Sequence, residues 1–163
     1  MTATTQTGVT TQVYRMYIKA APEAIWDAIT KADWTQKYGY AGRVEYDLRP
    51  GGAYRAFASQ EIWEIGAPWV IVEGQVLEAD PPCKLVQTWH PVWDQEVAAE
   101  ALTYLTWEIE QGQGDVTKLT VTHELDGAPK AAAQVADPGN GAGWSYILSD
   151  LKTLLETGAP LEG

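Results

Sequence analysis

Cysteine is nearly absent from this chain. The single Cys83 cannot form an internal disulfide, and no CxxC or Cys/His cluster marks a metal site. Positive charge is short: 11 Lys and Arg against 22 Asp and Glu leave a formal net charge of −11. Such a surface repels phosphate backbones and anionic lipid, which argues against a nucleic-acid or membrane partner. No stretch reaches the roughly 20 apolar residues of a membrane span. Residues 1–11 lack the basic start and apolar run of a signal peptide, so a reducing, cytoplasmic location is the expectation. There is no internal repeat and no linker. The 163 residues are expected to form one domain over 12–158, flanked by tails at 1–11 (disordered) and 159–163.

Tryptophan and tyrosine, by contrast, are abundant, with eight of each against one phenylalanine. Both combine a large apolar body with a polar tip, which suits a cavity wall, a packed core or a homodimer interface. The most regular pattern lies near the end. Trp144, Ile147, Leu148, Leu151, Leu154 and Leu155 follow the spacing of one helix face for about three turns. A lone amphipathic helix cannot bury its stripe against itself, so a sheet must receive it.

The preceding residues supply that sheet. Val13–Ile18 alternates as a first strand. Pro22 and Glu23 open a helix through Ile29, and Asp33 is placed to cap a second, short one carrying Trp34 and Tyr38. Strands are expected at Arg43–Leu48, Ala53–Ala58, Trp69–Ala79, Lys84–His90, Leu102–Glu110 and Thr117–Leu125, with Gln60–Ile65 either a short strand or an excursion. Turn signals separate them at Arg49-Pro50-Gly51-Gly52, Asp80-Pro81-Pro82 and Gly112–Asp115, and Gly74 reads as a bulge. Val92–Glu100 reads as loop, as does Gly127–Gly143 apart from a helical turn at Ala131–Ala136. Strands at short intervals joined by tight turns imply an α+β domain with an antiparallel sheet of about six to seven strands.

The period of two sorts the side chains. Leu105, Trp107 and Ile109 share a face, as do Leu119, Val121 and His123, and Leu85, Gln87 and Trp89. Gln87 and His123 are thus polar groups on an apolar inner wall, where each needs a partner, a water or a ligand. His123 is the candidate acid/base should the chain be an enzyme; an inner-face histidine bonded to its neighbours is the commoner arrangement. His90 lies at a strand end before Pro91. Glu61, Glu64, Glu73 and Glu78 fit a solvated outer face. Ser145 and Ser149 lack a nucleophile elbow. The glycine-rich 139–143 segment lacks the Lys-Ser/Thr of a phosphate loop and reads as a loop. Nothing calls for a cofactor or a metal. If about half of Trp26, Trp34, Tyr38, Tyr40, Trp63, Trp69, Trp89, Trp93, Trp107 and Trp144 line the space between sheet and helix, they can stack on a flat ligand.

The order of elements resembles the START-like, birch-pollen-allergen type helix-grip fold of the SRPBCC superfamily. In that fold a curved antiparallel sheet wraps a long C-terminal helix, with two short helices after the first strand. Within it the chain is similar to the activators of heat-shock-protein-90 ATPase. The likeness rests on Ala21-Pro22-Glu23 with Ile25-Trp26, Arg49-Pro50-Gly51-Gly52 with Tyr54-Arg55, and the run Glu73 to Pro82. Leu85-Val86, Thr88-Trp89, Leu119 to His123 and Gly143-Trp144 complete it. The resemblance implies no invariant catalytic residue. It covers co-chaperone domains, proteins encoded beside regulators, self-resistance proteins that bind antibiotics, and distant cyclases. The expectation is non-enzymatic binding of a hydrophobic or aromatic small molecule, or a stress-response adaptor role. Its binding residues are Trp26, Trp34, Tyr38, Gln87, Trp89, Trp107, His123, Trp144 and Leu148. The alternatives are a cyclase, dehydratase or hydrolase using His123, and a co-chaperone module that docks on a heat-shock ATPase or a regulator.

Overall fold

The computed structural model describes residues 11–39, 41–58, 70–136 and 143–161. Strand β1 (Thr11–Lys19) leads into helices α1 (Pro22–Thr30) and α2 (Ala32–Thr35). Then follow β2 (Val44–Tyr46), β3 (Ala53–Phe57), β4 (Val70–Asp80) and β5 (Lys84–Pro91). A short α3 (Gln95–Ala98) precedes β6 (Thr103–Gln111) and β7 (Val116–Glu124), and α4 (Pro129–Val135) and α5 (Gly143–Thr157) complete the chain. The strands form one antiparallel sheet in the order β1-β7-β6-β5-β4-β3-β2. Among the described residues no helix is long and apolar enough to cross a membrane.

Side-chain alternation places the core. Leu85, Gln87, Leu105, Trp107, Ile109, Leu119, Val121 and His123 are all buried on one sheet face. Ile25, Trp26, Ala28 and Ile29 of α1 and Trp144, Leu148, Leu151 and Leu154 of α5 are buried with them. Leu85↔Trp107, Gln87↔Leu105 and Trp107↔Val121 are direct cross-strand pairs, so the inner face is one continuous surface. Helix α5 stops where expected of a glycine C-cap. Gly158, at φ +89°, donates its N–H to the Leu154 carbonyl at 2.8 Å.

Several local expectations are corrected. Asp33 does not cap α2. The N-cap is Lys31, whose carbonyl already accepts the Trp34 and Thr35 amides at 3.0 Å, so Asp33 falls inside the first turn. The Val92–Glu100 stretch holds α3, capped by Asp94, which accepts the Glu96 amide at 2.7 Å. Four residues are too few to show a helical period, but Val97 is buried in the core. In the last loop, α4 starts at Pro129, where a first-turn proline is tolerated. The β4–β5 pairing shifts register between Val76 and Glu78 and the β3–β4 pairing opposite Ile71, neither of them at Gly74. Gly74 answers a different need: a Cβ there would stand 2.1 Å from the Thr88 carbonyl oxygen. The Gln60–Ile65 segment, with Glu61, Glu64, Trp63, Trp69, Tyr40 and residues 139–142, lies outside the described residues.

Candidate functional site

Between the concave sheet face and the helices lies a cavity of about 570 Å³. Its floor comes from alternate residues of adjacent strands: Val44 and Tyr46, Tyr54 and Ala56, Val72, Trp89 and Trp107. Trp144 and Ile147 of α5, Val135 of α4 and Tyr38 close other sides. The backbone at Gly39 to Gly42 forms one rim. Gly42 is there because a Cβ would sit 2.0 Å from the Phe57 carbonyl oxygen, and Ala41 takes a left-handed φ of +59°. Trp93, 37% exposed, and the exposed Gln134 that accepts its indole N–H at 3.0 Å mark the solvent side.

The polar tips of the lining rings are turned to protein partners. Tyr38 donates to the Ala28 carbonyl at 2.8 Å. Tyr46 donates to Gln87 Oε1 at 2.6 Å, and the Trp107 indole N–H reaches the same oxygen at 3.4 Å. The Trp144 N–H donates to His123 Nδ1 at 3.0 Å, and the Trp89 indole stands beside the Tyr54 hydroxyl. Apart from the Tyr54 hydroxyl and the side chains of Thr35 and Gln134, what lines the cavity is therefore mainly ring carbon and aliphatic surface. Burial raises the pKa values of Tyr38, Tyr46 and Tyr54 above their ordinary range, so all three stay neutral.

His123 stands behind this wall as part of a hydrogen-bond relay. An indole N–H can only donate, so Nδ1 of His123 must be unprotonated and Nε2 carries the hydrogen. Nε2 then donates to Thr103 Oγ1 at 2.9 Å, and Thr103 donates to the Trp89 carbonyl at 2.5 Å. The ring also meets Trp89 and Trp144 edge to face, at 4.8 and 5.8 Å between centroids. Burial pushes its pKa down from 6.5 to about 3. The relay opposes protonation as well, since a second N–H would point at the Trp144 donor. The imidazole thus fixes two cavity-lining tryptophans relative to each other.

Of the residues expected to bind a ligand, Tyr38, Trp89, Trp107 and Trp144 line the cavity. Gln87 and His123 are fully buried one layer behind it and hold its rings. Trp26 and Leu148 are packed in the core, and Trp34 lies half-buried against it with the Lys37 ammonium 4.6 Å from its ring centroid. The sequence reading missed Tyr46 and Tyr54. They pair directly across the β2–β3 hairpin with centroids 4.6 Å apart. The alternation Val44-Tyr46 and Tyr54-Ala56 on either side of the Arg49–Gly52 turn carried that signal. Among the described residues no group of three His, Cys, Asp or Glu is placed to hold a metal ion.

A curved antiparallel sheet closed over a C-terminal helix, with an aromatic-lined space between them, defines a helix-grip domain. The family model of Activator of Hsp90 ATPase homolog 1-like proteins matches residues 19–156, and the chain belongs to this family. No curated protein sequence matches it. Solved structures with the same fold include protein CV1439 from Chromobacterium violaceum (22% identity, 91% of this chain and 98% of that one, TM-score 0.68). CalU16 from Micromonospora echinospora is similar at 19% identity, over 91% and 77% of the two chains, with a TM-score of 0.63. PFC0360w, an HSP90 activator from Plasmodium falciparum, matches at 20% identity over 93% and 91%, with a TM-score of 0.56.

Proposed function

We propose that this protein binds a flat, hydrophobic or aromatic small molecule in the cavity between sheet and C-terminal helix, without transforming it. The observation that carries this reading is the treatment of the lining rings: the polar tips of Tyr38, Tyr46, Trp107 and Trp144 are tied to protein partners while ring carbon bounds about 570 Å³. That volume falls in the range of about 300–1,000 Å³ typical of small-molecule sites. His123 gives no support to acid/base chemistry. Both its nitrogens are engaged, and its pKa of about 3 is far from the neutral poise of a general base.

The test is titration with flat hydrophobic compounds of two to four fused rings. Trp89, Trp93, Trp107 and Trp144 line the cavity, so binding quenches tryptophan fluorescence. At a ligand concentration of a hundred times Kd the native state gains about 2.7 kcal/mol, a Tm rise of roughly 5–10 °C for a chain of this size. Ala56→Trp, which fills the cavity from β3, abolishes both signals. Absence of quenching and of any thermal shift across the panel overturns the proposal, as does chemical turnover of a bound compound.

A second reading, a co-chaperone module, has family membership in its favour. Stimulation of a heat-shock-protein-90 ATPase that survives Ala56→Trp supports docking through an outer surface instead of the cavity.

A further inference from the structure

Tyr54 breaks the pattern of the other rings. The Trp89 indole stands beside its hydroxyl, which has no hydrogen-bond acceptor among the described residues. The side chain is only 6% exposed and lines the cavity. Tyr38, Tyr46, Trp93, Trp107 and Trp144, in contrast, all donate to named protein acceptors. A buried hydroxyl hydrogen without an acceptor is costly, and a guest that supplies one is favoured over an isostere that does not. The donor is also well held. Trp89 is anchored by Thr103 at its carbonyl and by the His123 ring against its indole, and Tyr46 lies over the Tyr54 ring at an interplanar angle of 34°.

We propose that Tyr54 sets the specificity of the cavity: the preferred guest is a planar aromatic compound bearing a carbonyl oxygen, an aryl ketone or quinone, which accepts the Tyr54 hydrogen. This rests on the binding reading above and narrows it. Apolar surface supplies most of the affinity, and the single oriented O–H selects among flat molecules of equal size. Burial holds the phenol protonated, so the donor persists throughout the neutral pH range.

Fluorene and 9-fluorenone make the comparison, since they share one tricyclic plane and differ by a single C=O. Each is titrated into the wild type and into Tyr54→Phe, which keeps the ring against Tyr46. The ratio of the two affinities in one protein, divided by the same ratio in the other, cancels the different hydration of the probes. The expected result is that Tyr54→Phe lowers the fluorenone-to-fluorene ratio about tenfold. The infrared carbonyl stretch of bound fluorenone gives a readout independent of the variant: in the wild type it shifts to lower wavenumber than in alkane solvent. Binding of both probes with an unchanged ratio, or an unshifted carbonyl band, overturns the Tyr54 proposal and leaves cavity binding intact. Binding of neither probe to the wild type overturns the cavity reading and this proposal with it.

Discussion

Lowering the pH from 7 to 5 should cost this protein about 2 kcal/mol through one residue, His123. Its imidazole has an ordinary pKa of 6.5 and is held at about 3 in the native state, chiefly by burial. Above about pH 6.5 both folded and unfolded chains carry the neutral ring. Below it the unfolded chain takes up a proton and the native chain does not, so stability falls as pH drops, down to about pH 3 where the native ring also charges. Each pH unit in that window is worth about 1.4 kcal/mol, and the 1.5 units between 6.5 and 5 give about 2 kcal/mol. Urea unfolding of the wild type and of His123→Gln at both pH values isolates the contribution, because the two proteins differ at this one side chain. Glutamine offers an acceptor to Trp144 and a donor to Thr103, so it substitutes chemically for the relay. The pH-dependent part of the wild-type stability should exceed that of the variant by about 2 kcal/mol. With only two histidines in the chain, NMR provides a direct check. A His123 ring signal that titrates near pH 6.5 in the folded protein would refute the reasoning, as would equal pH dependence in the two proteins.

Three further outcomes test the packing that shapes the cavity. Gln87→Leu leaves the Tyr46 hydroxyl and the Trp107 indole without their shared buried acceptor, and should cost about 2–4 kcal/mol in urea unfolding. Gly42→Ala drives a Cβ toward the Phe57 carbonyl, 2.0 Å away, and should cost about 1–3 kcal/mol while weakening ligand binding at the rim; unchanged stability would show that the two segments separate freely. Asp150→Ala removes the carboxylate that accepts the Gly39 amide and the Leu161 amide, each at 2.8 Å. It should lower stability by about 2 kcal/mol and increase hydrogen exchange at both amides, whereas Asp150→Asn should retain part of the loss.

Regular alternation made the sheet legible. Leu105-Trp107-Ile109 and Leu119-Val121-His123 announce one buried face, and the Trp144–Leu155 stripe announces the helix that covers it. Tyr38, Trp89, Trp107 and Trp144 could be placed near a cavity because their element and their face were both readable. The misses have local causes. A four-residue helix such as α3 shows no period, and Asp33 falls two residues too late because Lys31, which ends α1, is itself the N-cap of α2. Gly74 looked like a bulge, but what demands it is the Thr88 carbonyl on the neighbouring strand, which no local pattern shows.

The linear chain determined the character of the walls: period-two and period-3.6 patterns act through local backbone geometry, and they fix which side chains must turn inward together. Whether a side chain turned inward meets a guest or a neighbour depends on distances between residues far apart in the chain. Only folding brings Tyr46 to Gln87, Trp144 to His123 and Trp89 to Tyr54. Those contacts place Gln87 and His123 behind the wall, bonded to its rings, and leave the Tyr54 hydroxyl on a mainly apolar lining.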